Sequence, residues 1–433
     1  MTAETSPVSN PPLRILIIGL HYAPESTGNA PYTTALAEGL THRGHAVRVL
    51  TAHPHYPEWR IRDGYGGHTT REHLHGVPVT RLCHYVPPTP SNLQRLLSEL
   101  SFGVRAVVAR WGRPDVVLLV SPALFSTTLA LAKARWLRLP VGIWVQDLYS
   151  LGLAETQTGG GRTTALMRRV ESAALRHATG IAAIHDRFKA QIVRSLGVDP
   201  VRVAVIRNWT HLTEPAPFDR AAVRARRGWA DTDTIVLHAG NMGVKQGLSN
   251  VVDAARLADR LGRPVRFVLL GDGNQRAHLQ QQAAGITRLQ FLDPLADADF
   301  QATLRSADVL LVNELPGVSE MSVPSKLTSY FSTGLPVLGA TDTGSVTAGE
   351  LASSGGGIRT DAGNPAALLA GVAALADDPP LRHRLGQASL DYCRSTLSPA
   401  AAIAHYDRWV KHLAATQNRP RTRPRTISAP TLE

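Results

Sequence analysis

Cysteine is almost missing from this chain: two occur in 433 residues, Cys83 and Cys393. Two distant thiols build neither a disulfide framework nor a cysteine-based metal site, and such usage suits a cytosolic protein. Lysine is scarce too. Only Lys133, Lys189, Lys245, Lys326 and Lys411 occur, so the 46 basic side chains include 46 − 5 = 41 arginines. Uninterrupted apolar runs of bilayer length are also lacking. The nearest, Val116 to Ala132, is broken by Ser121, Pro122, Ser126, Thr127 and Thr128, and reads as a buried strand followed by a helix. Met1 to Pro12 has no positive n-region or apolar h-region, so no signal peptide is expected.

What is present is ordinary for a globular protein: 43% hydrophobic and 18% charged residues. The length predicts two or three domains. A net charge of +12 favours anionic partners, namely phosphorylated substrates, anionic lipid or nucleic acid. Part of that charge lies in Arg419 to Arg425, expected to belong to a disordered tail. No zinc-finger spacing, aromatic ribonucleoprotein motif or basic zipper accompanies it, so nucleic acid is the weakest of the three.

Strand and helix patterns alternate along the first half. Apolar strands are expected at Leu13 to Ile18, Val47 to Thr51, Val77 to Leu82, Asp115 to Val120, Val141 to Val145, Gly180 to Ile184 and Val201 to Ile206. Helical patterns fall at Pro31 to Arg43, Leu93 to Ala109 and Thr163 to His177. A linker is expected at Thr213 to Pro217. A second series follows at Thr234 to His238, Val265 to Leu270, Leu289 to Leu292, Asp308 to Val312, Pro336 to Ala340 and Gly357 to Thr360. Two consecutive βα series predict two Rossmann-like parallel-sheet domains, 13–209 and 210–399, facing a cleft. The helix at 400–415 is expected to pack back on the first domain, and 1–12 and 416–433 to be disordered tails.

The most telling stretch is Gly240-Asn-Met-Gly-Val-Lys-Gln-Gly247, between an apolar strand and a helix-periodic run. Glycines let backbone approach an anion, and a helix start directs free N–H groups and a positive dipole end toward it. Lys245 adds a compact point charge where arginine is otherwise the default. A second scarce lysine stands in Val323-Pro-Ser-Lys326, where Pro324 suits a first helical turn and leaves the amides of Ser325 and Lys326 free for an anion. Gly271-Asp272-Gly273 reads either as a tight turn or as a backbone edge near a nucleotide base. Gly19 to Asn29 is a long loop carrying His21, Glu25 and Gly28 without the full dinucleotide fingerprint, which argues against NAD. Gln146-Asp147 closes an apolar strand, where site residues of such sheets gather. Metal is disfavoured. Asp231-Thr-Asp233 and Asp297-Ala-Asp299 precede regular elements, where Asp is a turn or cap residue. His53, His55, His73 and His75 lack cysteine partners or a His-Glu-x-x-His helix. The Leu93 to Ala109 helix carries Leu96, Leu97, Leu100, Val104 and Val107 with Arg95 and Arg105, and reads as core-facing or as lying on an anionic membrane surface.

Taken together, His21-Tyr-Ala-Pro-Glu-Ser-Thr-Gly28, Thr51-Ala-His-Pro-His-Tyr-Pro57, Gln146-Asp147, Asn208-Trp209, the Gly240 to Gly247 loop and Val323-Pro-Ser-Lys-Leu327 resemble the family 4 glycosyltransferases of the GT-B fold. The likeness runs from Leu13 to about Ala415 and is nearest to colanic-acid-type bacterial polysaccharide enzymes. It implies a nucleotide-sugar donor held by the second domain and a saccharide or lipid-linked acceptor held by the first. It further implies retention of configuration, no cofactor and no required metal. The implied donor-diphosphate and nucleotide residues are Gly28, Gly240, Asn241, Lys245, Gly271, Asp272, Gly273, Ser325 and Lys326. Catalytic roles fall to Asp147, Lys245 and Glu320, and acceptor or sugar contacts to His21, Glu25 and Gln146. Asn241 stands where many relatives carry a diphosphate-binding arginine, and Ser329 where many carry a ribose-binding glutamate. The implied location is cytoplasmic, peripheral on the inner membrane face. A sugar-nucleotide epimerase on a similar double-Rossmann plan is the competing reading.

Overall fold

The computed structural model describes residues 11–26, 28–88, 91–149, 161–210, 217–318 and 325–417. The linker stretch, the arginine-rich C-terminal stretch and Glu320 therefore fall largely or wholly outside the described residues. Two sheets organise the chain. The first holds β1 (Arg14–Ile18), β2 (Ala46–Ala52), β3 (Thr69–Leu74), β4 (Val77–Leu82), β5 (Val116–Ser121), β6 (Val141–Val145), β7 (Gly180–Ala183) and β8 (Val203–Val205). Their spatial order is β3-β4-β2-β1-β5-β6-β7-β8. All pairings are parallel except β3 with β4. The second sheet is wholly parallel. It holds β9 (Thr234–Ala239), β10 (Val265–Leu270), β11 (Leu289–Leu292), β12 (Val309–Asn313), β13 (Val337–Ala340) and β14 (Gly357–Thr360), in the order β11-β10-β9-β12-β13-β14.

The apolar strands are buried because helices cover both faces: every residue of β5, β6 and β12 is buried. Strand order reverses beside β1 in one sheet and beside β9 in the other. Those two switch points open crevices at the carboxyl ends of the strands, where ligands of such sheets bind. The loops after β1 and β9 are the two glycine-bearing loops singled out above.

The C-terminal helix Pro399–Gln417 packs into the first core through Tyr406, Trp409, Val410 and Leu413. Burying an aliphatic side chain such as Val410 or Leu413 contributes about 1.5–3 kcal/mol. Two glycines make room for it. A Cβ on Gly142 would lie 2.6 Å from the Trp409 ring, and one on Gly180 2.7 Å from Leu413. The second half of the chain is thereby tied to the first domain.

Three departures from the expected pattern have local causes. β3 is polar and half-exposed along its length, an edge strand held by antiparallel pairing with β4, so it lacks an apolar signature. The helix Asp186–Leu196 follows β7 directly, capped by His185 rather than by a usual capping residue. The strand expected from Val201 shortens to β8, because Pro200–Arg202 form a 3₁₀ turn. The helix Asn92–Val108 starts at a Ser91/Gln94 capping box. It leaves Leu93, Leu97, Val104 and Val108 exposed along one stripe. No helix among the described residues is long and apolar enough to cross a membrane.

Candidate active site

A cleft of about 720 Å³ lies between the carboxyl ends of the two sheets and is lined from both domains. Its second-domain wall begins at Gly240. The loop there is zipped to the turn after β10: Met242 N donates to Asp272 O at 2.8 Å, and Gln275 N to Met242 O at 2.9 Å. Gly271 and Gly273 are required by that contact. A Cβ on Gly271 would meet Gly240 O at 2.1 Å, and one on Gly273 would meet Met242 N at 2.6 Å, at φ of +133° and +157°. Asp272 is exposed, and its Oδ1 accepts from Gly273 N at 2.8 Å. Gly271, Asp272 and Gly273 therefore hold the loop in place, and none of them lines the cleft.

The helix-start reading also changes. A 3₁₀ turn, Val244–Gln246, and left-handed Gly247 (φ +55°) separate the loop from the helix Ser249–Arg260. The first amides of that helix are already engaged: Asn250 N bonds Gly247 O at 3.1 Å and Val251 N bonds Leu248 O at 2.9 Å. Positive charge at this wall therefore comes from side chains. Lys245 is half-buried on the cleft, its carbonyl strapped by Leu315 N at 2.9 Å. It makes no ion pair among the described residues. Gln246 locks the turn, its Oε1 accepting from Gly243 N at 3.0 Å.

Lys326 reaches the same wall from the helix Ser325–Phe331. Its Nζ donates to His238 Nε2 at 3.2 Å, and a Cβ on Gly240 would stand 3.8 Å from it. Burial of the ammonium lowers its pKa to about 8, with Glu314 opposing the shift. Ser325 belongs to this helix, and its side chain lies outside the described residues. Ser329 lines the cleft. Glu314 does too, a residue the sequence reading passed over. Its carboxylate accepts from Thr347 Oγ1 at 2.5 Å and from Thr341 Oγ1. Its signal was available: Asn313-Glu314 is a polar pair ending an apolar strand, just as Gln146-Asp147 is.

The first-domain wall carries His21, Gly28, Tyr56, Gln146 and Asp147. Glu25 does not line it. Its Oε1 accepts from His55 N at 2.8 Å and Tyr56 N at 2.9 Å, and its Oε2 lies 2.8 Å from His21 Nδ1. Burial pushes the Glu25 carboxyl up, but His21 and those two amides outweigh it and hold the pKa below the ordinary value. Glu25 is thus a buried strut fixing the loop, which corrects its reading as a sugar contact. With Nδ1 committed to Glu25, Nε2 is the ring nitrogen His21 has left for a ligand. Gly28 adopts φ +64° beside the Tyr56 ring.

His21, Glu25 and His55 bring potential metal-ligand atoms within 4.8 Å of one another. Hydrogen bonds within the group take His55 Nδ1, which bonds His53 O at 2.9 Å, and His21 Nδ1 with Glu25 Oε2 at 2.8 Å, while His55 Nε2 is buried without a hydrogen-bond partner. The group reads as a hydrogen-bonded strut. His75 lies elsewhere, against Glu38.

Gln146 is anchored by Asn208 Nδ2, which donates to its Oε1 at 2.7 Å. Asp147 follows it on the cleft and accepts from Leu148 N at 2.8 Å. Burial raises its pKa, while the Leu148 amide and the Lys245 charge act against that rise. Asp147 on one domain therefore feels Lys245 on the other. Lys245, Lys326, Gly240, Asn241, Gln146, Asp147, His21 and Gly28 converge on one cavity, whereas Glu25, Gly271, Asp272 and Gly273 support it from behind.

Comparison with known proteins agrees with this architecture. Residues 27–209 match the model of a glycosyl transferase 4-like domain, and residues 233–378 that of glycosyl transferases group 1. The chain is 33% identical over 339 residues to the glycosyl transferase WcaI ascribed to colanic acid biosynthesis in Escherichia coli (strain K12), covering 74% of this chain and 82% of that one. Among solved structures, sucrose-phosphate synthase of Thermosynechococcus elongatus superposes with a TM-score of 0.71 at 18% identity, over 93% of this chain and all (100%) of that one. HepE of Anabaena, solved in complex with UDP-glucose, gives 0.67 at 17% identity, over 92% and 100%. These two show the fold. The family models and the WcaI relative show the rest: this chain belongs to the family 4 glycosyltransferases of the GT-B fold, akin to the colanic-acid-type enzymes.

Proposed function

We propose that the cleft takes a nucleoside-diphosphate sugar and transfers the sugar, with retention of configuration, to a hydroxyl of a lipid-linked or growing cell-surface saccharide. One observation carries the reading. In a chain with only five lysines, two of them, Lys245 and Lys326, meet on one wall of the interdomain cavity. Two ammonium groups there offset the charge that develops on a departing diphosphate, the role a metal ion plays in other sites. The opposite wall presents the polar groups of His21, Gln146 and Asp147, suited to hydroxyls.

In the reaction the bond from the anomeric carbon to the diphosphate oxygen breaks, and its electron pair leaves with the nucleoside diphosphate. The acceptor oxygen forms the new bond on the same face. Its proton passes to the leaving phosphate oxygen, so no separate base is needed. Asp147 orients the acceptor or the transferred sugar, and Glu314 on the cleft takes donor-sugar hydroxyls; Glu320, given its role by the family resemblance, lies outside the described residues. The relative HepE is described with UDP-glucose; a hexose donor is the form we propose here.

The test is release of nucleoside diphosphate from a panel of nucleotide sugars, with and without saccharide acceptors. Release that requires an acceptor is expected. A sugar product formed without one would instead mark an epimerase. In the same assay Asp147→Asn should lower kcat about 10²-fold while leaving diphosphate affinity unchanged. An unaltered kcat would remove Asp147 from the reaction.

A further inference from the structure

His238 is buried to 0% exposure as the penultimate residue of β9, Thr-Ile-Val-Leu-His-Ala, just after the apolar run Ile235 to Leu237. Nothing in strand packing calls for an imidazole there, and a buried polar group is costly unless bonded. Its Nε2 lies 3.2 Å from Lys326 Nζ. An ammonium can only donate, so Nε2 carries the lone pair and the ring proton sits on Nδ1. Burial, then the Lys326 charge, pushes the His238 pKa far down, which keeps the ring neutral and able to accept. The contact also has a fixed direction. His238 lies two residues before Gly240, whose missing side chain leaves the space beside Nζ open: a Cβ there would stand 3.8 Å away.

We infer that His238 is a positioning residue, holding the Lys326 ammonium by a neutral Nε2 acceptor so that it faces the donor diphosphate across Gly240. The inference rests on the diphosphate reading of the cleft. Lys326 is the second charge of that wall. Without a fixed acceptor its flexible stem has alternatives, notably Glu314, whose carboxylate already takes hydroxyls from Thr341 and Thr347. The titratable groups facing Nζ are His238 from β9 and Glu314 from the end of β12. An ammonium drawn to Glu314 would be neutralised by it and lost to the phosphate. His238 gives it a neutral partner instead, which leaves its charge for the ligand.

The test is calorimetric titration of the full chain with nucleoside diphosphates and with the matching nucleosides. His238→Leu is expected to weaken diphosphate binding about tenfold, the scale of one charge-assisted hydrogen bond, with nucleoside binding unchanged. The loss should grow as pH rises from 7 to 9, as the less supported ammonium deprotonates. His238→Gln, whose carboxamide reaches the Nε2 position, should restore affinity, and His238→Asn, whose shorter amide reaches only the Nδ1 position, should not. Should the leucine variant fail to fold, the Gln and Asn pair decides alone. Diphosphate affinity that is unchanged in His238→Leu, or equal in the Gln and Asn variants, overturns the inference. The failure of the wider reading looks different: there neither wild type nor Lys326→Ala distinguishes a diphosphate from its nucleoside.

Discussion

Replacing Lys245 with alanine is expected to lower sugar transfer about 10²- to 10³-fold, the loss seen when one preorganised charge or donor is removed from a leaving-group site. Lys245 lies on the cleft without an ion pair among the described residues, so its charge is not spent elsewhere. Its backbone is held by Leu315 and its turn by Gln246, which positions the charge before any ligand arrives. Asn241 beside it is neutral and contributes no charge of its own. The amides of Asn250 and Val251 at the start of the following helix are taken by Gly247 O and Leu248 O, so they are not free to replace the lost cation. Steady-state transfer measured beside thermal unfolding checks it. A lower rate with an unchanged melting temperature supports the assignment, and unchanged turnover and donor affinity would sink it. Lys245→Arg should recover only part, since a planar fork does not reproduce a compact charge on a crowded turn.

The second large effect is expected at Glu350, far from the reacting atoms. This residue of the helix Val346–Ser354 is 3% exposed and joins the two domains. Its Oε1 accepts from His185 Nε2 at 2.9 Å and Arg207 Nη1 at 2.5 Å, both from the first domain. Its Oε2 accepts from Tyr392 at 2.9 Å, in the second. Glu350→Ala removes the shared acceptor of His185 and Arg207 and leaves Arg207 only its Asp186 contact at 3.1 Å, which is expected to cost about 1–3 kcal/mol for buried donors left unpaired. The domains should part, because this contact bridges them. Small-angle scattering is expected to show a larger radius for the variant, and urea unfolding a lower midpoint; identical curves would exclude a latch. Acid should act similarly. Burial raises the Glu350 pKa, but His185, Arg207 and Tyr392 together bring it below its ordinary 4.5. A depressed carboxyl stabilises the fold fully above its unfolded value and loses that contribution as pH falls through the folded one. The latch should therefore hold at neutral pH and release below about pH 4.5.

Much of this architecture was legible because parallel strands buried on both faces announce themselves as apolar runs. β5, β6, β9 and β10 are of that kind, and a polar pair just past such a run pointed to Gln146 and Asp147. Lys245 and Lys326 stood out by scarcity. What remained hidden depends on contacts between distant segments. β3 has no apolar face and exists through its partner strand. Gly271 and Gly273 look like a ligand loop, yet the reason for them is the approach of Gly240 and Met242 from another turn. Glu25 reads as a site acid, and only the fold shows its oxygens filled by His21 and by the amides of His55 and Tyr56. The latch joins residues 165 positions apart, His185 and Glu350, which no local pattern signals.

In the function we propose, the interdomain cleft is a diphosphate site governed by Lys245 and Lys326. The most direct measurement is calorimetric titration of wild type and Lys245→Ala with a nucleoside diphosphate and its parent nucleoside. Wild type is expected to bind the diphosphate at least about tenfold more tightly than the nucleoside, and most of this difference should vanish in the variant while nucleoside affinity stays the same. A wild-type protein indifferent to the two phosphates, or a variant that retains the full difference, would contradict it.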